Sequence, residues 1–144
     1  MSDIERAKAC FETGEYTCVL CRDDAVFTST LSGISPMIEY LKSGTDLRGF
    51  SAADKIVGKA AAMLFVLSEV KEVYASVMSR QAEDLFKRFN IKCACETLVD
   101  KIINRTGTGL CPMEEAVKDI EEPQAAFEAI KHTLETLKNR STEK

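Results

Sequence analysis

The sequence predicts an α/β sandwich, a mixed sheet with helices on both faces, folded as a single domain over residues 1–144. Three observations carry this prediction. Between Ile56 and Leu67 only Gly58 and Lys59 interrupt a run of apolar side chains, and a helix apolar on nearly every face is a buried one. A tight turn later, Glu72 to Val77 alternates Val73, Ala75 and Val77 with Tyr74 and Ser76, the period of a strand. A buried helix feeding a strand is the middle of a layered α/β domain. Further on, the order strand, helix, strand with brief connections calls for a right-handed parallel crossover.

Taken in order, Asp3 to Glu12 has Ile4, Ala7 and Phe11 spaced for one buried helical stripe, with Gly14 as its stop. This N-terminal helix occupies residues 1–14. Tyr16 to Cys21 and Ala25 to Thr30 are short β-rich runs, and the turn Arg22-Asp23-Asp24 makes them an antiparallel hairpin. Ser35-Pro36 reads as a capping residue followed by proline at the first helical position, starting a short helix over Met37 to Lys42 that ends at Gly44. Ser51 followed by Asp54 resembles a capping box, so the central helix is expected to begin at Ser51. Ser79 caps a helix running to about Phe89, with Leu85, Phe86 and Phe89 inward. Ile91 to Cys95 is a further short strand, Leu98 to Ile103 is open between helix and strand, and Pro123 to Leu137 is the last helix. Residues 139–144 are a polar tail.

Composition narrows the function classes. A net charge of −4 and a pI near 5.1 argue against a general affinity for nucleic acid or anionic membrane. No segment reaches the roughly 18 apolar residues of a membrane span, and the charged start MSDIERAKACFETG lacks the apolar region of a secretory signal. A cytoplasmic setting with reduced thiols is the expectation for Cys10, Cys18, Cys21, Cys93, Cys95 and Cys111. Their spacing makes no zinc framework, and Cys18 and Cys21 on one strand point to opposite faces.

The most distinctive segment is the loop Asn104-Arg105-Thr106-Gly107-Thr108-Gly109-Leu110-Cys111, running into a helix at Pro112. Cys111 falls at the N-cap, where free backbone N–H groups favour negative charge. Such a place can bind a phosphate or carboxylate helped by Arg105, can make Cys111 a thiolate nucleophile, or can be no more than a capped tight turn. Walker A would need Gly-Lys-Ser/Thr here, and it is absent. Lys59, one cation on the most apolar helix, either snorkels to solvent or meets an anion. His132 reads as a solvated surface residue, Lys118 to Glu122 as a solvated linker, and Met63, Met78 and Met113 as core filling.

The text DKIVGKAAAMLFVLSEVKEVYASVMS, followed downstream by IINRTGTGLCPMEEAV, resembles an uncharacterised prokaryotic family, domain of unknown function 1893, within the cytidine-deaminase-like superfamily. The resemblance covers nearly all the chain from about Tyr16 onward. It implies a deaminase-like three-layer sandwich but not the chemistry. A zinc deaminase carries His/Cys-x-Glu and Pro-Cys-x-x-Cys at two helix starts. The corresponding stretches here are Val57-Gly58-Lys59 and Met78-Ser79-Arg80-Gln81-Ala82, which hold no ligand. The resemblance therefore implies no metal and no cofactor, with the pocket kept and its polarity inverted. The expected ligand is small and anionic or nucleotide-like. Its contacts would be Lys59, Ser79, Asn104, Arg105, Thr106, Gly107, Thr108, Gly109 and Cys111. Two alternatives stand beside this: an enzyme using Cys111 as thiolate nucleophile or redox thiol, and a structural or regulatory homodimer with no ligand.

Overall fold

The structure, a computed structural model, describes residues 2–103, 107 and 109–142. Eleven elements follow one another: α1 (Asp3–Glu12), β1 (Cys18–Arg22), β2 (Ala25–Ser29), α2 (Ser35–Lys42), β3 (Ser51–Val57), α3 (Lys59–Leu67), β4 (Glu72–Ser79), α4 (Arg80–Arg88), β5 (Lys92–Val99), α5 (Pro112–Val117) and α6 (Pro123–Thr142). The five strands form one sheet in the order β2-β1-β3-β4-β5. β1 pairs antiparallel with β2 and β3, whereas β3, β4 and β5 run parallel. The mixed sheet expected from a hairpin followed by parallel crossovers is present.

One expectation fails at the centre. Ser51 does not start the buried helix; Ser51–Val57 is β3, and the helix begins only at Lys59, with Gly58 as its N-cap. A strand covered on both faces shows a continuous run of small and apolar residues, so its period disappears and it merges with the helix that follows. Ala52 and Ala53 are fully buried on opposite faces of the sheet, where β1 and β4 flank them. The Ser51–Asp54 spacing is thus no capping box. Three smaller corrections follow. Ser35 lies inside α2, whose N-cap is Ile34. Phe89 is 41% exposed and does not face inward. The ambiguous stretch begins as strand, since β5 runs to Val99.

The two faces are covered unequally. On one, α1 alone lays Ala7 and Phe11 against Val19, Cys21, Ala53 and Tyr74. The Phe11 and Tyr74 rings meet edge to face at 6.4 Å. On the other face α3 is central, packed by α2, α4, α5 and α6, so that every residue from Lys59 to Phe65 is buried. This is the buried helix read from the sequence, begun later than expected. Cys18 and Cys21 do fall in opposite clusters, as their spacing requires. Met63 and Met78 are fully buried core residues, and His132 is exposed.

Asp54 is the unusual core residue. It sits on β3 opposite Cys18, 7% exposed, with Oδ1 accepting from the Lys55 N–H at 2.8 Å. Burial pushes its carboxyl up to about 8, against the pull of that hydrogen bond and of the Lys55 charge. The folded state then holds a proton that the unfolded chain releases near its ordinary carboxyl pKa. Stability from this group is complete below about pH 4 and is lost as pH rises toward 8. Thermal melts should therefore show a midpoint falling by several degrees between mildly acidic and mildly alkaline pH. Asp54→Asn, neutral and near-isosteric, should flatten that fall and melt higher than the parent at the alkaline end.

Candidate functional site

The start of α3 decides the geometry. A helix begins with N–H groups that lack intrahelical partners, and Gly58 has no side chain to cap them. The cap comes from 55 residues away: the Lys59 and Ala60 N–H groups donate to the two carboxylate oxygens of Glu114, each at 2.8 Å. Glu114 lies in the first turn of α5 and is 6% exposed. Its charge opposes the positive end of the α3 dipole. The approach is close enough to dictate the residue at 58. A Cβ on Gly58 would collide with Glu114 Oε1 and stand 2.7 Å from Ile102 Cγ1. Since the Gly58 backbone is extended (φ −99°), its glycine is required by this contact and not by backbone strain.

Around this clamp lies a cavity of about 660 Å³. Its floor is Gly58, Ala60 and Ala61, and its apolar walls include Ile34, Ile56, Ile102, Ile103, Met113 and Leu134. Polar groups on the lining are Ser32, Ser35, Cys111 and Glu114. Cys111 is the half-buried N-cap of α5, with no side-chain cap hydrogen bond. Its N–H donates to the Ile102 carbonyl at 3.1 Å, and Ile103 bridges Leu110, so the stem of the glycine-bearing loop is closed. Gly107, at φ +72°, takes a left-handed conformation that glycine accepts without cost.

Lys59 is buried, as a pocket lysine would be, but it does not face this cavity. Its Nζ donates to the Lys118 carbonyl at 3.1 Å and lies 3.7 Å from Glu121 Oε1. It lines a separate recess of about 220 Å³ with Gln81, Asp84, Leu85, Arg88 and Glu121. The Arg88 guanidinium, and behind it the Lys59 ammonium, hold the Glu121 carboxyl below its ordinary value. The stretch expected to be only a solvated linker therefore supplies the lysine's partners. Ser79 lines neither cavity; fully buried, its Oγ accepts from the Ala82 N–H at 3.2 Å as the cap of α4.

Of the candidate ligand contacts among the described residues, Cys111 alone lies on the larger cavity, while Lys59 and Ser79 point elsewhere. Gly107 and Gly109 belong to the loop beyond its closed stem. Asn104, Arg105, Thr106 and Thr108 lie outside the described residues. Glu114, which no sequence signal singled out as a site residue, binds the backbone of α3. Among the described residues no three His, Cys, Asp or Glu side chains converge as metal ligands would. No helix among them is long and apolar enough to cross a membrane.

Residues 6–134 match the family described as TM1506: Domain of unknown function (DUF1893). The chain belongs to the DUF1893 family. A solved structure, that of a DUF1893 family protein (TM1506) from Thermotoga maritima, is similar to this DUF1893 chain at 26% sequence identity. The two superpose with a TM-score of 0.80 over 94% of this chain and 91% of that one. No curated protein matches the chain.

The clamp yields a coupling test. Glu114→Ala leaves two helix-start amides unpaired in a buried corner and should cost about 1–3 kcal/mol. Gly58→Ala forces the carboxylate and Ile102 apart, at about 1–3 kcal/mol or more. Chemical denaturation of the double variant should show less than the sum, because one of the two colliding groups is then gone.

Proposed function

We propose that this chain is a ligand-binding domain of the cytidine-deaminase-like kind, and that it admits the base-like part of a small nucleotide-like molecule between α3, α5 and the loop before α5. The observation that carries this reading is the cavity of about 660 Å³, apolar on its walls, with the buried Glu114 carboxylate fixed across the first turn of α3. Small-molecule sites are typically about 300–1,000 Å³, largely apolar, with few fixed polar groups. This one opens beyond the carboxyl end of β3, the side on which open α/β sheets receive ligands. Ile56, Ile102 and Met113 offer apolar walls to a flat heterocycle. Each Glu114 oxygen spends one lone pair on a helix amide and keeps another for an amino or ring N–H of the ligand.

The start of α3 already carries a carboxylate, so a ligand anion gains little there, and Lys59 is engaged on the far side. The inverted-polarity pocket expected at Lys59 is therefore replaced by one whose fixed charge is the Glu114 carboxylate, suited to the N–H donors of a base. The residues present do not fit a zinc ion: Gly58-Lys59 and Ser79-Arg80-Gln81-Ala82 offer neither imidazole nor thiol at the two helix starts.

Differential scanning fluorimetry and calorimetry with cytosine, adenine, their nucleosides and monophosphates test the proposal. At about 100 times its dissociation constant a ligand adds about 2.7 kcal/mol of stability, a clear rise in melting temperature. Ile56→Glu, on a 53% exposed residue at the cavity, should abolish the rise with little change in the unliganded melt. Lys59→Met should bind as the parent does. If no base, nucleoside or nucleotide shifts the melt at millimolar concentration, the reading fails.

A second reading rests on Cys111, whose thiol stands on the same wall. A ligand carrying an electrophilic carbon would meet it. Burial pushes the Cys18, Cys21, Cys93 and Cys95 thiols up, which disfavours their thiolates. Limited alkylation with peptide mapping should label Cys111 before any of these four, and a bound ligand should slow that labelling.

A further inference from the structure

The edge strand β5 carries a pattern that the ligand site does not use. Among the described residues, no hydrogen bond apart from the β4 ladder falls on a β5 backbone group. The chain leaves the edge at once: Asp100 pairs with Arg80 at 2.8 Å, and Ile102 turns inward to Gly58. An eight-residue strand left open is a template for another strand. The opposite edge, β2, has five residues and no charge among them.

Over Lys92–Glu96, the first five residues of β5, the side chains have two-fold symmetry about Ala94. Lys92, Ala94 and Glu96 are exposed and share one face, while Cys93 and Cys95 pack against the core on the other. We propose that β5 pairs antiparallel with β5 of a second copy of this chain, about a two-fold axis through Ala94. Lys92 then stands opposite Glu96 of the second copy, and Glu96 opposite its Lys92. A β5 edge with one sign of charge would repel its copy; opposite signs at equal distance from the axis attract twice. The face opposite α4 is open there, since Lys92, Ala94 and Glu96 are exposed on it and α1 packs mainly on β1 and β3.

Sedimentation equilibrium on the full chain tests this, with Lys92→Glu and the charge swap Lys92→Glu/Glu96→Lys. All three should melt alike, since both positions are exposed. The parent should dimerise in the micromolar range, and Lys92→Glu should weaken the dimer about tenfold or more, because two attractive cross-strand pairs become repulsive. The swap should restore the parent's affinity to within a few-fold. Hydrogen exchange of the β5 amides should slow with protein concentration in the parent and the swap, and not in Lys92→Glu. A parent that stays monomeric, a Lys92→Glu dimer as tight as the parent's, or a folded swap that does not recover overturns the proposal.

Discussion

Two short contacts between the start of α3 and the helix α5 hold the site together, and they are reciprocal. The beginning of α5 gives its Glu114 carboxylate to the first amides of α3, and the first side chain of α3, Lys59, returns its ammonium to the Lys118 carbonyl at the C-cap of α5. Each satisfies groups that a helix end leaves open, an N-terminus with an anion and a C-terminus with a cation. The exchange fixes α5 across the mouth of β3 and keeps Gly58 bare. It also sets the separation at which Ile102 and Met113 face Ala60 and Ala61 across the cavity. Loss of either partner would leave buried polar groups without compensation, which is why the corner tolerates so little variation in geometry.

The parts of the fold legible in the sequence are those whose instructions are local. Ile4, Ala7 and Phe11 at helical spacing before Gly14 give α1 its limits, and the alternation in Glu72–Val77 gives most of β4. β3 was hidden because its seven residues are sandwiched by neighbouring strands and covered on both faces, so composition replaced periodicity as the visible signal. The site was legible only in its pieces. The unusual lysine is indeed buried and the cysteine does begin a helix. Which of two cavities each faces depends on the helix phase at Lys59, and with the helix begun seven residues early that phase could not be read. Glu114 carried a weaker signal. An acidic residue in a first turn ordinarily serves its own helix, and only the absence of a capping side chain at Gly58 hinted that another helix needed it.

The cation and the cavity are therefore separate resources. The single Glu121 carboxylate is shared by the buried Lys59 ammonium and the exposed Arg88 guanidinium, between α4 and the segment before α6. The exposed Arg88–Glu121 pair adds little stability by itself; its effect is to seat the linker. Among the described residues the larger cavity has no positively charged side chain on its lining; its polar groups are two hydroxyls, a thiol and a carboxylate whose position two amides enforce.

The span of the clamp also orders events in time. Strand β3, helix α3 and strand β4 are neighbours along the chain and can associate by closing short loops, whereas Glu114 must be brought from 55 residues downstream. Until it arrives, the first turn of α3 has only water for its amides and frays accordingly. The sheet and its buried helix thus gain most of their contacts from nearby chain, and the cavity acquires its α5 wall only with the cap.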